Sequence, residues 1–128
     1  MNKDIEAIVT QWLNSQDLGT YTDANNDEVS IEAFSEVPAD RPDVFVVVER
    51  VGGGLANMVI DHPSIALQFW HTTRASAATL AYSVDEVMLG IVGNHNISRV
   101  SRNSLYNWTD LDSNTPRYQA IYDLVFVP

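Results

Sequence analysis

Asp40-Arg41-Pro42-Asp43 leads into Val44-Phe45-Val46-Val47-Val48 and leaves through Glu49-Arg50-Val51-Gly52-Gly53-Gly54. A proline turn opens the stretch, an unbroken apolar run fills it, and a charged pair followed by glycines closes it. Side chains alternate between the faces of a strand, so Val44, Val46 and Val48 stand opposite Phe45 and Val47. Both faces of this strand want to leave water. The rest of the chain has to supply the cover.

Working outward, Ile5, Ile8, Val9, Trp12 and Leu13 recur at helical spacing and predict an amphipathic helix from Lys3 to Asn14. Asp4 and Glu6 fall in its first turn, where the helix dipole favours negative charge. Asn14 to Asp27 is polar and turn-rich and reads as a loop. Glu28 to Ser35 alternates Val29, Ile31 and Ala33 with polar residues, the pattern of a half-exposed edge strand. Val44 to Val51 is the second strand. Gly52 to His62 reads as a flexible connection, with Pro63 just ahead of a third strand from Ser64 to His71. Thr72 or Thr73 is a suitable N-cap for a helix running to about Val92, with Ala77, Leu80, Ala81, Val84, Val87, Met88 and Ile91 as its stripe and Gly93 as its stop. Ile97 to Trp108 and Arg117 to Val127 form two last strands around the turn-rich segment Asp110 to Pro116.

The expected architecture is one α+β domain over residues 1–128, order α-β-β-β-α-β-β, with a mostly antiparallel or mixed sheet of about five strands and two helices on one face. Five strands at ~4.8 Å spacing span about 20–24 Å. Two helices, each about 10 Å across, cover one face of such a sheet. The last strand is nonetheless apolar on both parities: Tyr118, Ala120, Tyr122, Leu124 and Phe126 against Ile121, Val125 and Val127. A neighbouring subunit is the expected cover for the second face; the alternative is a sheet that curls to close that face on itself.

The formal net charge is −10, with a pI near 4.4, and it is unevenly placed. Residues 1–43 hold ten acids against Lys3 and Arg41, whereas the remainder holds seven acids against five arginines. Such a chain lacks the clustered positive charge that grips nucleic-acid phosphate. Its acidity suits either a solvated face or a surface that must repel nearby DNA. The chain has no cysteine, and Met1-Asn2-Lys3-Asp4 lacks the basic-then-apolar pattern of a signal peptide. No apolar run reaches membrane-spanning length, and a cytoplasmic protein is expected.

Catalytic chemistry is not expected. His62, His71 and His95 match no ligand spacing, so no metal or cofactor is anticipated. Asp61 and His62 are neighbours in an extended segment and point apart. The glycine run lacks the spacing of a phosphate cradle, and no nucleophile elbow is present. Binding features remain. Arg50, Arg74, Arg99, Arg102 and Arg117 outnumber lysine in the second half, and a guanidinium fork suits carboxylate pairing across an interface. Trp70 and Trp108 fall in strands rather than helical stripes, as partner anchors or as core filling. With Glu49 and the hinge Gly52, Gly53 and Gly54, these residues form the candidate subunit or partner interface.

Three stretches in order resemble tail terminator proteins of long-tailed phages, especially those of actinobacteria. They are Asp40-Arg41-Pro42 with its valine-rich strand through Gly53, Ala66 to Trp70 followed by Thr73 to Ala78, and Asp112 to Gln119. The likeness spans nearly the whole chain from the first helix onward. Trp70-His71, where the family more often has alanine and proline, and the acidic stretch Thr20 to Glu28 depart from the pattern. The resemblance implies a homo-oligomeric ring, a hexamer, at the head-proximal end of the tail tube. It stops polymerisation of the major tail tube protein and meets the head-tail connector or stopper protein. DNA passes through without specific binding. Other neck components share this size and ring habit, and a small α+β ligand-binding domain or enzyme is the more distant alternative.

Overall fold

The computed structural model describes residues 4–55 and 59–128. Lys3, the expected helix start, and Ala56 to Met58 of the expected connection lie outside the described residues.

Helix α1 (Ile5–Ser15) starts where Asp4 caps it, its carboxylate accepting from the backbone N–H groups of Glu6 and Ala7 at 3.1 and 3.4 Å. Its buried residues are Ile5, Ile8, Val9 and Leu13. The segment expected as a loop instead contains β1 (Thr20–Thr22), which pairs antiparallel with β2 (Glu28–Ser30). The Asp23 carboxylate holds the turn by accepting from the N–H groups of Asn25 and Asp27, each at 2.9 Å, and Asn26 takes a positive φ of 65°. The expected single strand Glu28 to Ser35 is therefore split. After β2 the chain changes sheet and forms β3 (Ala33–Phe34), parallel to the strand that follows. The Asn14 side chain accounts for the split: its amide donates to Ala33 C=O at 2.9 Å and its oxygen accepts from Ala33 N–H at 2.8 Å. A side chain thus satisfies the outer edge of β3.

The main sheet continues with β4 (Phe45–Leu55), β5 (Asp61–Trp70), β6 (Ile97–Asn107) and β7 (Arg117–Phe126), in the order β3-β4-β5-β7-β6. Every pairing except β3–β4 is antiparallel. Helix α2 (Arg74–Leu89) connects β5 to β6. Thr73 caps it by accepting from Ser76 N–H at 3.1 Å. It ends at Gly90, short of the expected Val92; the turns that follow keep Ile91 buried and place Gly93 at φ 87° to receive the start of β6.

Gly52, Gly53 and Gly54 do not form a hinge. They are strand residues, paired with Ser64, Pro63 and His62 beyond a register shift between Arg50 and Gly52. At Gly53 the backbone has φ 85°, and a Cβ would stand 2.0 Å from the His62 carbonyl oxygen. Glycine here answers a close backbone approach rather than a need for freedom. The shift leaves the Arg50 N–H to an outside acceptor, the Glu6 carboxylate of α1 at 2.9 Å. Pro63 likewise lies inside β5 rather than before it. It is accommodated because the β5–β7 ladder passes from Asp61↔Phe126 to Ser64↔Asp123, leaving Pro63 with no β7 partner.

The two helices pack on the same side of this sheet. Val44, Val46 and Val48, with Ile65, Leu67 and Phe69 and with Ala120, Tyr122, Leu124 and Phe126, are each 1% exposed or less against α1 and α2. Trp12 ties the helices together, donating its indole N–H to Val87 C=O at 3.0 Å. No helix among the described residues is long and apolar enough to cross a membrane.

Candidate interface on the helix-free face

The register lays the other side of the sheet out in rows. At one end Phe45 pairs with Trp70 and Trp70 with Arg117. The next row runs across all five strands as Phe34, Val47, Gln68, Gln119 and Tyr106. Beyond it come Glu49, Ala66, Ile121 and Ser104, then Gly52, Ser64, Asp123 and Ser101.

The start of the first two rows covers itself. Phe45, Val47 and Trp70 form a small buried cluster with Phe34 packed against it. Phe45 and Trp70 stack with ring centroids 5.2 Å apart and planes at 13°. Two guanidiniums then close over the indole: Arg41 at 4.9 Å and Arg117 at 4.8 Å from the Trp70 ring centroid. Trp70, only 3% exposed, is therefore core filling rather than an open anchor for a partner. Both parities of β4 do leave water near its start, and here the chain's own side chains supply the second cover.

Further along, the cover thins. Tyr106 is 40% and Trp108 44% exposed, and Ile121 and Val125 are half-buried. The polar groups of this region are tied to one another. Gln68 accepts from the Trp70 indole at 3.2 Å, and Gln119 donates to the Tyr106 hydroxyl. The Asp123 carboxylate accepts from Asn103 at 3.0 Å and from Ser64 at 2.8 Å, and these two hydrogen bonds hold its pKa below the usual carboxylate value. Past Arg50, Val51 and Leu55 of β4 and Val59 beyond it are exposed.

The candidate residues divide by what they meet. Arg50 spans Asp61 with two hydrogen bonds of 2.9 and 3.0 Å and gives its Nε–H to Gly52 C=O. Arg102 reaches Asp85 at 3.5 Å and lies over Tyr82. These two are engaged within the chain. Asp85 also accepts from the Tyr122 hydroxyl at 2.6 Å; burial and that acceptor push the Tyr122 pKa up. Glu49, Arg74 and Arg99 are exposed. Arg117 bridges the buried and open ends of its row, lying 4.0 Å from the Trp108 ring centroid on its other side. Sequence reasoning did not single out Arg41, Tyr106, Gln68 or Gln119. Strand parity was the signal for the glutamines, since Gln68 shares a face with Trp70.

A cleft of about 330 Å³ opens beside Arg41, lined among others by Asp43, Phe45, His71 and Asn114. Burial alone lowers the His71 pKa. Comparison with known protein families and with characterised proteins finds no match for this chain.

Proposed function

We propose that this chain is a ring-forming structural subunit of a phage tail: a tail terminator that caps the head-proximal end of the tail tube, stops its growth and offers the surface on which the head joins. The observation that carries the reading is the helix-free face, where Tyr106 and Trp108 lie open at one end and Ile121 and Val125 are only half-buried further along β7. Aromatic and arginine side chains around a partly apolar patch are the residues that anchor protein interfaces. The sequence resemblance supplies the kind of assembly. The acid-rich first 43 residues fit a ring through which DNA slides without sticking.

The experiment is removal of the gene from its phage, followed by electron microscopy of the tails. A terminator predicts tails of abnormal length that fail to join heads. Tails of normal length on filled heads would refute the assignment. Labelling the protein in intact particles separates a terminator, which touches the tail tube, from a stopper, which touches the portal side.

A further inference from the structure

His71 stands at the step from β5 to α2, two residues ahead of the Thr73 cap. Its backbone is pinned, the N–H donating to Pro116 C=O at 3.2 Å. The half-buried residue borders two clefts. One is the 330 Å³ cleft beside Arg41. The other, of about 260 Å³, lies between the β1–β2 hairpin and α2, with Leu18, Ile31 and Leu80 as its buried floor.

The local hydrogen bonds define the state of the ring. Thr72 N–H donates to His71 Nδ1 at 2.8 Å, and the Thr72 hydroxyl lies 3.2 Å from the same nitrogen. A backbone N–H can only donate, so Nδ1 is the acceptor and the ring proton sits on Nε2. That arrangement exists only for the neutral imidazole. A second proton enters at Nδ1 and sets one N–H against another, so protonation and the Thr72 bond exclude each other. Burial opposes the cation as well and lowers the His71 pKa from its ordinary 6.5.

Few charges are placed to receive that cation. Among the described residues bordering the two clefts, only Arg41 and Asp43 carry charge besides His71 itself. The 114–116 turn, the hairpin and α2 contribute neutral groups there. Arg74, at the start of α2, borders neither cleft, and the Tyr21 phenol of β1 feels Asp43 rather than His71. Arg41 is tied to Ser113 and Thr115 and stacked on Trp70. Asp43 is exposed and is the one carboxylate on the cleft.

We propose that His71 is a pH-operated latch on the entry to α2: neutral, it holds the Thr72 N–H; protonated, its ring leaves Thr72 and turns across the cleft to the Asp43 carboxylate. The proton comes from solvent. The strand end stays in place because Pro116 holds the His71 backbone. The latch goes beyond the ring reading and does not rest on it.

The test uses the full-length ¹⁵N-labelled chain from about pH 4.5 to 8, the range in which an ordinary histidine titrates. Long-range ¹H–¹⁵N spectra, assigned by triple resonance, should show His71 as the Nε2–H tautomer at the upper end. Thr72 amide protection, corrected for intrinsic exchange, should fall at least about tenfold as His71 takes its proton. An Nδ1–H tautomer, or protection that does not follow the His71 titration, would overturn the latch. So would a fall shared by every amide of α2, which is acid unfolding. These readouts need no substitution, so a variant that fails to fold leaves them decisive. In H71Q, whose carboxamide oxygen can accept the same N–H without titrating, Thr72 protection should stay flat; an equal fall there contradicts the latch. D43N should move the His71 midpoint down, and a midpoint left unmoved removes Asp43 as the receiver and overturns the proposal.

Discussion

The two faces of one sheet, built from the same strands, are finished differently. On the helix side, ten strand residues from β5, β7 and the Val44–Val48 run are sealed by α1 and α2 to 1% exposure or less. On the other side, the large apolar side chains that are buried are Phe45, Val47 and Trp70, closed over by Phe34, Arg41 and Arg117. The difference teaches that apolar parity marks a face as leaving water without saying what covers it. Helices cover the first face, stacked cations cover a corner of the second, and the remainder is the surface assigned here to a neighbour.

The comparison is broken most severely from the helix side. Phe69→Ala should cost about 3–5 kcal/mol in urea unfolding, the range for an aromatic removed from a filled core. Tyr106→Ala on the open face should cost about 1 kcal/mol, its loss limited to a partly exposed ring and the Gln119 bond. Equal losses would mean that the second face carries as much of the fold as the first.

Next in size is Gly53→Ala. A methyl group 2.0 Å from the His62 carbonyl oxygen, at φ 85°, forces the ribbon to shift, for about 1–3 kcal/mol. Gly52→Ala and Gly54→Ala, where nothing lies within 4 Å of the added carbon, should each stay below about 1 kcal/mol. If all three behave alike, the run is a hinge after all.

The pH dependence separates the faces further. Tyr122, on the helix side, has its pKa raised by burial and by Asp85. The unfolded chain loses this proton near its ordinary pKa of 10 while the folded chain keeps it. Stability is therefore full below about pH 10 and falls as pH rises beyond it. Urea midpoints measured between pH 8 and 11 should show that fall, and Y122F should remove part of it. Asp123, on the open face, works in the opposite direction. Its lowered pKa contributes stability above the ordinary carboxylate range that is lost as pH falls. NMR titration should place its midpoint below that of a free aspartate, and N103A should move the midpoint upward. This is the smallest expected effect, because the group is solvent-exposed.

Much of this fold was legible in the sequence, for reasons visible in particular residues. The stripe of α1, the Thr73 cap and the double-sided apolar run of β4 are local patterns, and local patterns dominated there. Strand β1 was missed because three residues of Thr-Tyr-Thr carry too little periodicity to stand out from a polar stretch. The glycines and Pro63 were misread because their usual meaning is a break; only the cross-strand register shows Gly53 facing Pro63 in a ladder. The candidate interface was legible only as a list of residue types. Arg50 and Arg102 find their acids through β4–β5 pairing and through α2, and Arg117 finds its two tryptophans through β7. These partners are set by topology, which spacing along the chain does not reveal.

The central claim is that the open part of the helix-free face is covered by another subunit. Hydroxyl-radical footprinting of the free chain and of tube-capping particles tests it directly, comparing Tyr106 and Trp108 with Tyr82, an exposed tyrosine of α2. The account predicts strong protection of Tyr106 and Trp108 on assembly, with Tyr82 labelled as before. Unchanged labelling of Tyr106 and Trp108 in the assembled particle would contradict it.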